Sequence, residues 1–223
     1  PALAAERAAR MVAAGWNAIK VKVGHDPVED IHRVKAVRAA IGPEVLLTVD
    51  ANGGYSVHQA REAAKGFADC RVLLFEQPTP RGDHRAMAAV RRDSAIPVMA
   101  DESIFTHADA LEAIRCESAD ILSLYPGKHG GIRASQELAR MAESAGIACT
   151  IGSNLEREIA TAAMAHLAIS TPNIQCERFP GDLIGPLYFD APYTKNPLSY
   201  AADRLRIPSG SGLGVSLETG NTD

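Results

Sequence analysis

The stretch "AIKVKVG", residues 18–24, places Lys20 and Lys22 inside an otherwise aliphatic run. Successive side chains of a strand point to opposite faces, so the aliphatic residues share one face and both lysines share the other. Ammonium groups in a protein core are costly unless negative groups meet them. The stretch therefore predicts a buried strand whose two lysines face carboxylates supplied by other parts of the chain.

Similar apolar runs recur along the chain, and amphipathic segments separate them. Strands are expected at 18–23, 45–50, 72–77, 97–102, 120–125, 148–153 and 173–178. Helices are expected at 3–14, 27–40, 56–67, 83–92, 107–115, 132–145 and 156–168. This alternation is typical of βα repeats around a buried parallel sheet. Regular spacing without a G-x-G-x-x-G motif favours an α/β, TIM-type barrel over a doubly wound dinucleotide-binding sheet.

The chain opens on a helical pattern at 3–14, whereas a barrel of this type opens on a strand. We therefore expect that the first barrel strand is absent and that the chain is a piece of a longer protein. Residues 1–223 are expected to form one barrel domain. Within it, residues 1–180 would carry the βα repeats, and the Pro- and Gly-rich residues 181–223 would wrap the barrel as loops and short strands.

Composition narrows the class of protein. The net charge of −4 gives no electrostatic reason to expect a nucleic acid or an anionic membrane as partner. No apolar run approaches the roughly 20 residues that a membrane-spanning helix needs. The four cysteines lie far apart and form no C-x-x-C pair, which indicates reduced thiols and a cytoplasmic location.

Acidic residues end three successive predicted strands: Asp50 in "TVDAN", Glu76 in "LFEQP" and Asp101 in "MADES". Strand carboxyl ends converge on the face of a barrel where active sites lie. Oxygen ligands on rigid strands suit a hard divalent cation, which predicts Mg²⁺ or Mn²⁺ bound by these carboxylates. A metal ion lowers the pKa of a neighbouring ammonium group, and a neutral lysine is a general base. The predicted chemistry is removal of a proton α to a carboxylate through an enediolate.

Five motifs occur in a fixed order along the chain: K-x-K at 20–22, D-A-N at 50–52, E-Q-P at 76–78, D-E-S at 101–103 and K-x-G-G at 128–131. With them, the chain resembles the barrel domain of the enolase superfamily, in its mandelate racemase and muconate lactonizing enzyme group. The resemblance continues through "DLIGPLYFD" and "PSGSGLGVSLE". It implies a modified (β/α)7β barrel, here without its first strand and without the N-terminal capping domain of the same protein. It also implies a small carboxylate substrate and a homo-oligomer.

The resemblance also implies roles for individual residues. The three strand-end carboxylates would be the Mg²⁺ ligands. Lys22 would be the catalytic base, and Lys20 its electrostatic partner, which keeps Lys22 neutral and meets a substrate oxygen. Asn52 and Glu102 would not bind the metal ion themselves but would contact its ligands and tune the site.

The sequence departs from this family at the predicted strand 120–125. Muconate lactonizing enzymes usually carry a second lysine there, as an acid or base on the opposite side, whereas this chain has Tyr125 in "LSLYPGKHGG". A single base favours a dehydratase acting on a sugar acid, or a cycloisomerase in which Lys22 takes and returns the proton. Tyr125 would protonate a leaving group, hold substrate or only pack. If Lys128 served as a second base, the protein would be a racemase or epimerase.

Four further residues are expected at the rim of the site: Asn154, Glu156, Glu177 and Arg178. An arginine there would grip a second substrate carboxylate in bidentate fashion. Two other interpretations stay open. A lysine on a barrel strand can be the nucleophile of a Schiff-base aldolase, although this leaves the three carboxylates unexplained. The chain could also be a non-catalytic barrel fragment.

Overall fold

A computed structural model describes residues 1–218 of the chain. These residues form two compact units. The first unit is Pro1–Ser123 with Ser144–Ile147, and the second is Leu124–Glu143 with the chain from Ala148 onward. The predicted C-terminal segment 181–223 extends past the described part, so that residues 219–223 lie outside it.

Helices and strands alternate as predicted. The helices are α1 Ala2–Ala13, α2 Pro27–Ile41, α3 Val57–Ala68, α4 His84–Asp93, α5 His107–Cys116, α6 Pro126–His129, α7 Ile132–Ser144 and α8 Glu158–Ser170. The strands are β1 Ala18–Lys22, β2 Leu46–Asp50, β3 Phe75–Glu76, β4 Val98–Ala100, β5 Ile121–Leu124, β6 Ala148–Ile151, β7 Ser199–Ala201 and β8 Arg204–Arg206. The predicted helices agree with these bounds to within two residues at either end. The short helix α6 was not expected.

In the first unit, β1 to β5 form a parallel sheet in which each strand pairs with the next one along the chain. The register places Lys22 opposite Asp50 on the neighbouring strand, and Asp50 opposite Glu76 on the strand after it. The core of this unit includes Phe67 and Phe75, both fully buried, whose rings meet edge to face at 5.5 Å. Pairing in register therefore brings the charged strand ends side by side.

Local signals explain why helices begin directly after the strand ends. Asp26 caps α2 by accepting a hydrogen bond from the Glu29 amide at 2.9 Å, and Pro27 occupies the first turn. Ser56 and Gln59 form a capping box at the start of α3. These caps keep the loops after β1 and β2 short, which holds the functional strand ends close to their helices.

In the second unit, the Gly152 amide after β6 donates to the Leu124 carbonyl at 3.2 Å. The predicted strand 173–178 is wrong, because this stretch contributes only an isolated bridge between Cys149 and Ile174. The residues that follow curl into a turn, in which the Arg178 amide donates to the Gln175 carbonyl at 3.0 Å. A run with a single aliphatic residue, Ile174, has too little apolar surface to continue as a buried strand.

The C-terminal segment of the second unit contains a 3₁₀ helix at Gly185–Tyr188 and an antiparallel hairpin of β7 and β8. It is held against the start of α8 by Arg157, whose guanidinium lies 3.4 Å from the ring centre of Tyr193 and 4.3 Å from that of Phe189. This segment thus consists of loops and short elements, as expected.

None of the helices within residues 1–218 combines the length and the apolar character that crossing a bilayer requires.

Candidate active site

The two lysines of β1 each meet one strand-end carboxylate. Lys22 Nζ lies 2.5 Å from Asp50 Oδ2, and Lys20 Nζ lies 2.6 Å from Glu76 Oε2. The parallel register brings Lys22 level with Asp50, while Lys20 reaches across β2 to the strand beyond. The structure therefore joins four of the predicted site residues in two ion pairs.

The carboxylates of the site are buried, whereas one of its lysines is not. Asp50 and Glu76 are 2% exposed and Asp101 is 7% exposed. The side chain of Lys20 is 21% exposed, but that of Lys22 is 66% exposed. The prediction that both ammonium groups lie in the core is thus wrong for Lys22, because this residue ends its strand and its side chain extends past the sheet. A basic group at that place is accessible to a substrate.

Asn52 connects the lysine to the acidic residues around it. Its side-chain oxygen accepts a hydrogen bond from Lys22 Nζ at 3.0 Å, and its Nδ2 donates to Glu102 Oε1 at 2.8 Å and to Asp50 Oδ2 at 3.1 Å. Its backbone has a φ of 43°, which an asparagine tolerates better than most residues. The predicted supporting residues Asn52 and Glu102 therefore lie in contact with each other and with the site.

Glu102 is a carboxyl group in an unfavourable environment. Burial raises its pKa above the ordinary value, and the charges of Asp101 and Asp50 raise it further, while the hydrogen bond from Asn52 opposes them. Its Oε2 is buried without a hydrogen-bond partner within residues 1–218. A positive charge at this place would stabilise the ionised form of Glu102.

Gln77 is a residue of the site that the sequence did not reveal, although it belongs to the quoted E-Q-P motif. It is fully buried, and its Oε1 accepts hydrogen bonds from the backbone amides of Asp101 at 3.0 Å and Ser103 at 3.1 Å. Its Nε2 donates to the Thr79 carbonyl and to Ser103 Oγ, both at 2.8 Å. All four hydrogen-bonding positions of the amide are thus used to fix the loop that carries Asp101. Gln77 also has a positive φ of 34°, a backbone feature that the sequence does not reveal.

The donor set of the first unit fits a hard divalent cation in its chemistry. The candidate ligands are all carboxylate oxygens on neighbouring strand ends. The buried Glu102 Oε2, which has no hydrogen-bond partner up to residue 218, also favours a cation. Within the described residues, no group of three or more His, Cys, Asp or Glu side chains is arranged to hold a metal ion. In the arrangement described here, lysine ammonium groups supply the positive charge at Asp50 and Glu76.

In the second unit, Tyr125 and Lys128 lie together. Tyr125 is 3% exposed and precedes the first residue of α6. Lys128 Nζ lies 4.6 Å from the centre of the Tyr125 ring, in the geometry of a cation–π contact. The His129 ring is 6.2 Å from the Tyr125 ring. The phenol thus stands in a buried setting with a cation over its face.

Asn154 and Glu156 belong to one tightly bonded loop of the second unit. Glu156 Oε2 accepts hydrogen bonds from Ser153 Oγ at 2.5 Å and from the Asn154 amide at 3.0 Å. Leu155 between them has a φ of 64°. The predicted residues therefore contact each other, and one oxygen of Glu156 is used to shape its own loop.

Glu177 and Arg178 lie on the exposed turn after Ile174, because the predicted strand that would have carried them does not form. The side chain of Glu177 is 94% exposed, with Arg204 at 3.9 Å, and the Arg178 guanidinium lies 4.8 Å from the Phe179 ring centre. These contacts are those of surface side chains.

Known proteins resemble this chain over nearly its whole length. The family described as "Enolase C-terminal domain-like" matches residues 3–220. Muconate cycloisomerase 1 of Rhodococcus opacus is 37% identical over 199 residues, which make up 89% of this chain and 52% of that protein. The L-Ala-D/L-Glu epimerase of Bacillus subtilis (strain 168) is 33% identical over 204 residues, or 90% of this chain and 55% of that protein.

A solved structure agrees with these sequence relatives. The dipeptide epimerase from Enterococcus faecalis V583, complexed with Mg and the dipeptide L-Leu-L-Tyr, matches with a TM-score of 0.91 at 33% identity. The match covers 97% of this chain and 60% of that chain. It confirms the predicted α/β fold class of the TIM-barrel type. This chain spans about half the length of the two sequence relatives.

Proposed function

Because this chain belongs to the enolase C-terminal domain-like family of the enolase superfamily, together with muconate cycloisomerases and epimerases, we propose that its protein abstracts the proton α to a carboxylate. Lys22 is the proposed base. The observation that carries the proposal is the pairing of both K-x-K lysines with strand-end carboxylates, Lys22 with Asp50 and Lys20 with Glu76. The accessible position of Lys22 at the end of its strand, beside three buried carboxylates, suits a base that must reach a substrate.

The proposed cofactor is Mg²⁺, with Mn²⁺ as its substitute, held by Asp50, Glu76 and Asp101. The bound ion would supply positive charge to a substrate carboxylate and so make the neighbouring C–H group more acidic. Support comes from the all-oxygen donor set, from the buried Glu102 Oε2 that lacks a partner among residues 1–218, and from the Mg present in the structurally similar dipeptide epimerase. An ion bound at Asp50 Oδ2 would take the place of Lys22 Nζ at that oxygen.

Released from Asp50, Lys22 in its amine form accepts the α-proton, and Asn52 Oδ1 keeps the amine oriented through the hydrogen bond seen here at 3.0 Å. Lys20 is held by Glu76 and is less exposed than Lys22, so it is suited to donate a hydrogen bond to a substrate oxygen. The division of roles follows from exposure, since the more accessible lysine is the one that can reach a C–H group.

We further propose that the reaction is a cycloisomerisation of a lactone-forming dicarboxylate. Lys22 takes the proton next to the carboxylate, the resulting enediolate expels the ring oxygen to give the unsaturated diacid, and the reverse reaction closes the ring and returns the proton. This choice rests on Tyr125, which leaves Lys22 as the one proposed base although muconate lactonizing enzymes usually carry a second lysine at that place, and on the muconate cycloisomerase among the relatives. A single base is sufficient for the cycloisomerisation, and a single base would also be sufficient for the dehydration of a sugar acid.

Epimerisation of an amino-acid derivative or dipeptide is the second candidate. The observation in its favour is Lys128, whose ammonium lies 4.6 Å from the ring centre of Tyr125, the residue that replaces the second lysine. The epimerases among the similar proteins point the same way. In this case Lys128 would deliver a proton to the opposite face of the substrate carbon.

The test is proton NMR of the natural full-length protein with Mg²⁺ in D₂O, with lactone-forming diacids, N-acyl amino acids, dipeptides and sugar acids as substrates. We expect the wild type to replace an α-proton by deuterium or to form product, and Lys22→Ala to abolish both. Lys35→Ala, which removes an exposed lysine of α2, is the matched control and should behave as the wild type.

The products separate the candidates. Lys22-dependent ring opening or closure that persists in Lys128→Ala supports the one-base cycloisomerase, whereas inversion of configuration that disappears in Lys128→Ala supports the epimerase. Absence of exchange on every substrate, together with absence of Mg²⁺ binding by isothermal titration calorimetry, would refute the enzymatic proposal and leave the non-catalytic barrel.

The remaining expectations concern the whole protein. We propose that residues 1–223 form one barrel domain, that further chain supplies a capping domain, and that the protein is a cytoplasmic homo-oligomer acting on a small carboxylate. The proposal of further chain is supported by the 52% and 55% of the two relatives that this chain spans. Light scattering of the full-length protein after size-exclusion chromatography tests the oligomer.

A further inference from the structure

A fully buried carboxylate, Asp30, lies in the first unit outside the ion pairs of the candidate site. Its Oδ2 accepts hydrogen bonds from the backbone amides of Gly24 at 2.9 Å and His25 at 3.0 Å, and from the hydroxyl of Tyr55 at 2.5 Å. Its Oδ1 accepts a hydrogen bond from Arg33, one turn further along α2. We call Asp30 and its four donors, Gly24, His25, Tyr55 and Arg33, the Asp30 junction. So many donors to one buried carboxylate form a fully hydrogen-bonded network that connects several parts of the chain.

The donors come from the two loops that follow the functional strand ends. Gly24 and His25 follow Lys22 at the end of β1, and Tyr55 belongs to the loop that begins after Asp50 at the end of β2. Arg33 completes the junction, because its Nη1 also donates to the backbone carbonyl of Lys22 at 3.2 Å. Asp30 is therefore connected to the main chain on which the proposed base is mounted.

The same two loops touch each other directly. A Cβ atom at Gly54 would stand 2.2 Å from the Gly24 carbonyl oxygen, and one at Gly24 would stand 2.4 Å from the Ala51 carbonyl oxygen. Gly24 also has a φ of 108°, which residues with a side chain rarely adopt. Only glycine allows so close an approach, so the backbones of the two loops lie in direct contact.

The charge of Asp30 is maintained in this buried place. Burial raises the pKa of Asp30, but the hydrogen bonds from Tyr55, from the amides of His25 and Gly24, and from Arg33 outweigh it, so that the pKa lies below its ordinary value. The Tyr55 pKa is raised by burial and by its hydrogen bond to Asp30, so the phenol keeps its proton and remains a donor. The junction therefore consists of an ionised acceptor and fixed donors.

We propose that Asp30 is a positioning residue for the proposed reaction, which locks the loops after β1 and β2 together and so sets Lys22 against Asp50. This inference rests on the function proposed above. Displacement of a reacting group by about 1 Å can cost about 100-fold in rate. Loss of the junction is expected to lower kcat much more than it changes KM, because Asp30 acts on the placement of the base and not on the groups that hold substrate.

The experiment compares Asp30→Asn and Tyr55→Phe with Ser118→Ala in the natural full-length protein. Ser118 is fully buried before β5, and its hydroxyl is hydrogen-bonded to His84 Nδ1 at 3.2 Å and donates to the Ala113 carbonyl at 3.4 Å. Its replacement by alanine therefore removes buried hydrogen bonds away from the strand ends that carry the site. The readouts are kcat and KM on the carboxylate that shows Lys22-dependent exchange, and hydrogen–deuterium exchange of peptides covering 18–25 and 50–55.

We expect kcat to fall by about 10- to 100-fold in Asp30→Asn and by a smaller factor in Tyr55→Phe, with KM within about two-fold and faster amide exchange in both peptides. Ser118→Ala should leave kcat and these peptides unchanged at a comparable melting temperature. If Asp30→Asn does not fold, Tyr55→Phe, which removes a single hydroxyl, decides.

An unchanged kcat in folded variants, or a loss of kcat in Ser118→Ala equal to that in Tyr55→Phe, would overturn the inference. If the wild type itself exchanges no α-proton, the proposed function has failed. The amide exchange of the two peptides then tests the structural part of the inference, that Asp30 locks the loops after β1 and β2. Unchanged amide exchange in Asp30→Asn would overturn this part too.

Discussion

Replacement of Gln77 by leucine should destabilise the protein strongly, although the two side chains have similar volumes. The amide of Gln77 is fully buried and accepts hydrogen bonds from the backbone amides of Asp101 and Ser103. Leucine fills the space and accepts neither bond, so two buried N–H groups lose their partner. Each unsatisfied buried donor costs about 1–3 kcal/mol, so the expected loss is about 2–6 kcal/mol. This is a large part of the typical stability of about 5–15 kcal/mol.

The same substitution should weaken the binding of Mg²⁺, because the hydrogen bond that Gln77 Oε1 accepts from the Asp101 amide fixes the backbone of a proposed ligand. The measurements are urea unfolding of the full-length protein followed by circular dichroism, and isothermal titration calorimetry with Mg²⁺. Ser103→Ala is the matched control, since it removes only the hydroxyl that Gln77 Nε2 contacts at 2.8 Å and should cost about 1 kcal/mol.

The reasoning would be refuted if Gln77→Leu lost less than about 1 kcal/mol, or no more than Ser103→Ala, because the two orphaned amides would then carry no cost. A stability loss of the expected size with unchanged Mg²⁺ affinity would show that Gln77 supports the fold and not the placement of Asp101. Gln77→Glu helps to separate the two effects, since it keeps the accepting oxygens but loses the donors of Nε2.

Three further outcomes are expected. Tyr125→Phe should leave α-deuteration intact by NMR, because the proposed base lies elsewhere in the chain, and a loss of exchange would contradict the one-base mechanism. The Asp30 carboxyl has a native pKa below its ordinary value of 3.8, so its contribution to stability is present above that value and is lost as the pH falls through the lower native pKa. Asp30→Asn should therefore flatten the acid side of stability plotted against pH in urea unfolding, and an unaltered acid side would speak against an ionised Asp30. Gly54→Ala should lower the melting temperature through a loss of about 1–3 kcal/mol, because its Cβ would stand 2.2 Å from a carbonyl oxygen, whereas at Gly127 the nearest atom is 3.8 Å away and Gly127→Ala should be nearly neutral.

The sequence predicted the alternation of helices and strands well because that signal is local. The spacing of apolar residues, the Asp26 cap and the proline after it are each contained in a few neighbouring residues. The meeting of lysines and carboxylates was also predictable from local patterns. Alternation along β1 places both lysines on one face, and one βα unit separates each acidic strand end from the next. The family resemblance supplied the order of the motifs and was confirmed by the match over residues 3–220.

The parts that the sequence missed depend on partners distant in the chain. The stretch 173–178 resembles a strand, yet pairing is decided by what lies beside it, and only Ile174 makes a bridge. Gln77 looks like a polar residue at a strand end, and its importance comes from a meeting with the loop after β4. Asp30 looks like an acidic residue that favours a helix start, and only the structure brings Tyr55 to it.

The register of the parallel sheet restricts how relatives of this chain can differ in length. Lys22, Asp50 and Glu76 stand level on three neighbouring strands. Because side chains alternate between faces, a single inserted residue inside β1 or β2 would turn every later side chain of that strand away from its partner. Length variation among descendants is therefore confined to the connections, such as 42–45 at the opposite ends of the strands. A change of length in those turns leaves the strand register intact, whereas one inserted codon within β1 or β2 separates Lys22 from Asp50.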